Sequence, residues 1–182
     1  MSTATDEDLA VELLRATPTH ENRPEERLRD WARIALAFGD ELAATPDPGP
    51  APETVDRPDG VRADVLILAE YDTRRRMILV HPAGISRATE VLARAGCTVT
   101  RAELRATAVA HEIAHHRMHG GTGRELARRL GHTTARIGRW RIRGHVTGAE
   151  EIAAHRFAHL RTGLERSPLL LTTVLAQHTF GG

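Results

Sequence analysis

The chain has 182 residues, a formal net charge of +1 and 41% hydrophobic residues, with aromatics at only 3%. That size and balance allow one domain with a core of Leu, Ile, Val and Ala, and supply no global field that draws in nucleic acid or a membrane surface. A single cysteine, Cys97, excludes an internal disulfide framework and fits a reducing compartment.

The first residues, Met1 to Asp8, are polar and acidic, with neither the basic nor the apolar region of a signal peptide. No apolar run reaches the ~20 residues of a membrane helix. A cytoplasmic protein with no membrane partner is expected. All the basic side chains are Arg and Lys is absent, a composition of codon bias more than of selected Arg chemistry. Between Arg124 and Arg143, however, seven Arg stand against one Glu, which marks a local basic surface.

Residues 6–16 read as a short helix and 24–44 as a longer one, in which Leu28, Trp31, Ala35, Phe38 and Leu42 recur at helical steps. Thr45 to Gly60 carries prolines at 46, 48, 50, 52 and 58. It is expected to be an extended, mobile linker that supplies no sheet or helix hydrogen bonds. Asp64 to Tyr71 and Met77 to His81 are short and rich in β-branched and large apolar residues, the pattern of a β-hairpin. Residues 85–95 read as a helix ended by Gly96. Thr100 and Glu103 form a capping box that starts a helix running to His119, where Gly120-Gly121 stops it. Residues 124–131 and 134–142 read as two short helices, 149–163 as another, and a last helix follows Pro168.

The chemistry centres on His111-Glu112-Ile113-Ala114-His115. Four residues apart on a helix, the two histidines share a face and can direct both imidazoles at one ion. Glu112, offset by one position, reaches past the metal to its water. Zinc hydrolysis needs this set: an ion that acidifies water and polarises a carbonyl, and a carboxylate that takes the proton. A third ligand must come from elsewhere. The metzincin pattern requires Gly at 118 and His at 121, but Met118 and Gly121 stand there. The alternative is an acidic residue on a following helix, Glu150 or Glu151. Ala153, Phe157, Leu160 and Leu164 form the large-residue stripe of that helix, with Glu150 at its edge. Glu151 shares a face with Ala154 and Ala158, whose small side chains allow close helix approach, and is the favoured ligand. His155 and His159 follow Glu151 by one and two turns, as outer-shell partners or alternative ligands. Zn2+ is the default ion for two His and one carboxylate with an open position.

The pattern from the hairpin through His111-Glu-Ile-Ala-His115 and His119-Gly120 to Glu151-x-x-Ala154-x-x-Phe157-Ala158 resembles the ImmA/IrrE-type metallopeptidases over about residues 64–165. The resemblance implies a compact zincin-like domain, zinc ligands at His111, His115 and Glu151, and Glu112 as general base. It also implies a protein substrate, of which a transcriptional repressor is the family's example. Ala114 stands where the family has Gly, and His155 where it has Asn or Asp. The expected fold is α+β, mostly helical with a small β-hairpin or sheet. Its organisation is an N-terminal helical element (1–44), a proline-rich linker (45–60) and a zincin-like domain (61–182).

A second reading comes from residues 124–143. Ala127, Gly131, Ile137 and Trp140 have the spacing of a helix-turn-helix, and Arg136, Arg139, Arg141 and Arg143 suit phosphate contacts. On that reading the chain is a DNA-binding regulator with a structural or vestigial metal site. Two short helices walling a peptidase cleft are the simpler expectation.

Overall fold

The computed structural model describes residues 4–18, 20, 22–58, 61–62, 65–119, 121–137, 140–143 and 146–179. In chain order the elements are α1 (Asp6–Arg15), α2 (Glu25–Ala44), β1 (Glu53–Asp56), β2 (Val61–Arg62), β3 (Val65–Leu66), β4 (Ala69–Asp72) and β5 (Met77–Val80). There follow α3 (Pro82–Arg94), α4 (Arg101–Met118), α5 (Gly121–Leu130), β6 (Thr133–Ile137), β7 (Trp140–Arg143), α6 (Ala149–Thr162) and α7 (Pro168–Thr179). The protein is therefore α+β and mostly helical, with a small three-stranded sheet in the order β1-β5-β4 and helices at its N-terminus.

Two apolar cores meet along α4. One gathers α1, α2, α5 and α6 against Ala110, Ala114 and Met118 of α4. It contains the whole stripe expected for α2, with Leu28, Trp31, Ala35, Phe38 and Leu42 all buried. The other gathers Ile78 and Val80 of the sheet, α3, Leu104 of α4 and Leu171 of α7. Ile113, in the middle of the histidine motif, packs against both. The motif thus lies on the seam between helices and sheet, where a rigid element has packing on two sides.

Three local features hold the helices in position. Thr100 Oγ1 accepts from Glu103 N–H (3.1 Å) and Glu103 Oε2 accepts from Thr100 N–H (2.8 Å), which sets where α4 begins. Trp31 Nε1 donates to the Leu130 carbonyl at 3.0 Å, so α2 satisfies an orphan acceptor at the end of α5. Gly39 lets α2 approach α6 closely, since a Cβ there would lie 2.7 Å from the Ala153 carbonyl oxygen.

Several expectations need correction. Residues 134–142 are not a helix: β6 and β7 form an antiparallel hairpin. Thr133, Thr134, Ile137, Trp140 and Ile142 are the β-branched and aromatic types that favour strands, and Gly131, at φ +62°, ends the preceding helix. Gly138 and Arg139 lie outside the described residues. The proline-rich segment does supply sheet hydrogen bonds, because β1 pairs in parallel with β5. Pro52 and Pro58 bracket a proline-free stretch, and only that stretch enters the ladder. The segment is also anchored: Asp47 is paired with Arg117 (2.8 Å) and Arg161 (2.9 Å). The hairpin is shorter than expected, since β4 pairs with β5 while Leu66 and Val65 pair with β2 instead; Asp64 lies outside the described residues. Leu160, placed in the large-residue stripe of α6 with Ala153 and Phe157, is 47% exposed while those two are buried. Gly120 lies outside the described residues, and Gly121 begins α5 in place of ending α4.

Candidate metal centre

The i, i+4 spacing on α4 turns His111 and His115 to the same side, and their Nε2 atoms stand 3.0 Å apart. Glu151, in the first turn of α6, meets both. Its Oε2 is 3.2 Å from His111 Nε2 and its Oε1 is 3.1 Å from His115 Nε2. The first turn suits a carboxylate, because helix N-termini favour negative charge. The approach is permitted by small residues: Ala110 and Ala114 of α4 and Ala154 and Ala158 of α6 are all buried in one core, with α4 packed against α6.

These distances provide a test of fit for an ion. Four ligands at tetrahedral angles and bonds of about 2.05 Å place neighbouring donor atoms about 3.3 Å apart. The three separations here are close to that, and two nitrogens with a carboxylate are a donor set that zinc accepts. His111, His115 and Glu151 therefore fit a divalent ion, with no fourth protein donor needed. Glu150 takes a different course. Its Oε1 faces Gly123 of α5, 3.3 Å from where a Cβ would stand, and it makes no contact with either imidazole among those described.

His155 is the fourth histidine of interest. Its ring centroid lies 4.4 Å from that of His111. One donor atom from each of His111, Glu151 and His155 falls within 4.8 Å of the others. The contacts of His111, His115 and Glu151 are all near 3 Å, which makes them the primary ligand set, with His155 an added donor. His159 does not join them: its Nε2–H donates to the Leu164 carbonyl at 2.9 Å. His111 Nδ1 is buried without a hydrogen-bond partner among the described residues. The ring is held by packing between His115 and His155, not by the outer-shell acceptor common behind ligating histidines.

The electrostatics follow from burial and proximity. Burial raises the Glu112 carboxyl above the usual range, against the pull of His111 and His115, and the nearby Glu151 charge adds to the rise. Burial works the same way on Glu151, but hydrogen bonds from His111 and His115 outweigh it and hold that carboxylate well below its ordinary value. Burial opposes a charge on His115, yet the Glu151 hydrogen bond and neighbouring carboxylates win and raise it. His155 is pushed down to about 3, first by burial and then by His111, so it stays a neutral imidazole. The site is thus an anionic carboxylate facing imidazoles, with a second carboxyl of raised pKa beside them.

Two features that the motif could not reveal complete the cleft. The Tyr71 backbone amide of β4 lies near the Glu112 carboxyl and adds a small pull against the rise that burial causes. His119, at the end of α4, lines the open side of the cleft with Ala69, Tyr71 and Thr73 of the sheet. Tyr71 was visible in sequence only as a strand residue, and no spacing rule links it to Glu112. On the other side, His111, Glu112 and His155 open onto an apolar pocket of about 260 Å3.

Among the described residues, no helix is long and apolar enough to cross a membrane. Compared with family models, with curated proteins and with solved structures, the chain has no match.

Proposed function

We propose that the protein is a zinc-dependent metallopeptidase that hydrolyses a peptide bond in a protein substrate. The observation that carries this reading is the convergence of Glu151 with the two Nε2 atoms of His111 and His115, all within 3.2 Å, beside a carboxyl of raised pKa. His111, His115 and Glu151 would hold the ion. When bound, zinc supplies Lewis acidity toward a carbonyl and a nucleophile at neutral pH. Glu112 is then the proton carrier. Its burial raises its pKa in the direction a general base at neutral pH needs. Among the described residues β4 pairs with β5 alone and is an edge strand, and an extended chain can add to its outer side. The resemblance to ImmA/IrrE-type peptidases supports a repressor as substrate and an intracellular setting; that part rests on analogy of residues alone.

One observation favours a second reading. His155 is a further neutral donor close to His111 and Glu151, and a fourth protein ligand would close the coordination shell, as in structural sites. The chain would then hold metal for stability or sensing, without turnover. The DNA-binding reading loses the helix-turn-helix that suggested it, since the element expected as a recognition helix is a β-hairpin, and no other observation favours it. Glu112→Gln separates peptidase from structural site. A peptidase keeps stoichiometric zinc by elemental analysis and loses about 10²–10⁴-fold in turnover of a cleaved protein. Wild-type protein that binds zinc but cleaves no candidate repressor or unfolded protein supports the closed site instead.

A further inference from the structure

The apolar pocket beside the donors is unused by the chemistry described so far. Its walls are Leu68 ahead of β4, Leu104 and Ala108 on α4, and Leu171 and Leu175 on α7. Polar groups gather at the end where His111, Glu112 and His155 stand, apart from Thr107 and Thr172. At about 260 Å3 it falls just below the usual range of small-molecule sites, a size suited to one side chain. Ala69, His111 and Glu112 line both this pocket and the open cleft, so the two are continuous.

The backbone leads into it. The Leu68 carbonyl accepts from His81 N–H at 2.9 Å. The alternation of an antiparallel ladder then turns the backbone groups of Ala69 and Tyr71 away from β5, in keeping with the nearness of the Tyr71 amide to Glu112. A chain laid along that outer edge alternates its side chains with a period of two. With its backbone at the donors, one neighbouring side chain is directed to the pocket. A charged side chain would lose water there and find few partners, whereas an apolar one gains by burial.

We infer that this pocket receives the side chain of the substrate residue flanking the scissile bond, and that α7 makes it select large aliphatic or aromatic residues. Leu171, Thr172 and Leu175 are then specificity-determining. They belong to α7, beyond the stretch 64–165 that carries the resemblance. The inference rests on the peptidase reading and deepens it by naming the substrate class.

Two measurements on the full chain test it separately from that reading. In the first, zinc-loaded protein is given a peptide library with Leu, Phe, Ala, Glu or Arg fixed at each position. Leu or Phe on one side of the cut is expected to exceed Ala by about 10–100-fold in kcat/KM. Thr172→Trp, at the exposed rim, should remove the acceptance of Phe, and Leu175→Ala should shift preference toward the larger side chain. Cleavage with no apolar preference overturns the inference. In the second, methyl NMR follows Leu171 and Leu175 in the Glu112→Gln protein on titration with N-acetyl-leucinamide or N-acetyl-glutamate amide. Shifts with the leucine amide alone, abolished by Thr172→Trp, support the pocket. No shifts, or equal shifts with both, overturn it. A library in which nothing is cut sinks the peptidase reading, and the titration then decides the selectivity of the pocket independently.

Discussion

The helix pair that brings the three donors together and the segment that joins its members, residues 121–143, were both expected as pairs of packed helices. Only the first is one. In α4 and α6 several signals agree: a capping box at Thr100, histidines four apart, and small residues at Ala110, Ala114, Ala154 and Ala158. In 121–143 the helix-turn-helix spacing of Ala127, Gly131, Ile137 and Trp140 pointed one way, and the β-branched run from Thr133 pointed the other. The strands formed. A few landmark residues at the right separation are weaker evidence than propensity along every position of a segment.

The sharpest way to break the helix-pair side of this comparison is to remove a donor. His115→Ala or Glu151→Ala should reduce bound zinc from stoichiometric to background in elemental analysis, because two remaining ligands do not hold the ion against a chelator. Glu150→Ala, one position away but facing α5, should retain full zinc. Equal loss from both carboxylate variants would show that the α6 phase described here is wrong.

A smaller effect is expected at the helix contact. Ala154→Leu inserts three heavy atoms where α4 and α6 meet and should cost about 1–3 kcal/mol, seen as a lower Tm with weakened zinc retention. On the opposite side of α6, Leu160→Ala should stay within about 0.5 kcal/mol, because that side chain is already 47% exposed. On the side of the joining segment, Gly131→Ala should cost about 1 kcal/mol, since φ there is +62°. Chemical denaturation reads all three.

The smallest effect concerns pH. Burial, and then Arg23 and Arg27, hold His132 below the usual histidine range where it packs against Trp31. A depressed folded-state pKa means that the unfolded chain takes up the proton first. Its contribution is intact above about pH 6.5 and is lost as pH falls from there toward the folded value. His132→Gln should flatten the fall in stability between pH 7 and 5; an unchanged slope would assign the acid sensitivity elsewhere.

Much of the architecture was legible because it is local. The stripe on α2, the Thr100 cap and the α4 and α6 spans follow from periodicity and turn chemistry that a chain carries within a dozen residues. Other features were hidden because they depend on distant partners. Strand β1 exists only because β5 lies beside it, and nothing in Glu53-Thr-Val-Asp56 announces that partner. That Leu160 stands exposed in a stripe whose Ala153 and Phe157 are buried was also hidden, because a helical stripe shows which residues align, not how far the neighbouring element extends. Likewise, the wall that α7 contributes to the pocket involves residues more than fifty positions from His111.

By itself the amino-acid order determined that helices run through α2, α4 and α6 and that His111 and His115 share a face, since both follow from the geometry of 3.6 residues per turn. It left two neighbouring acidic candidates, Glu150 and Glu151, and favoured Glu151 through Ala154 and Ala158, the small residues that share its face. Tertiary structure alone decided that Glu151 stands within 3.2 Å of both imidazoles, that the Tyr71 amide comes near Glu112, and that an apolar pocket opens beside them. Those are separations between elements, set by how two cores pack on either side of α4, and no pattern within one segment encodes them.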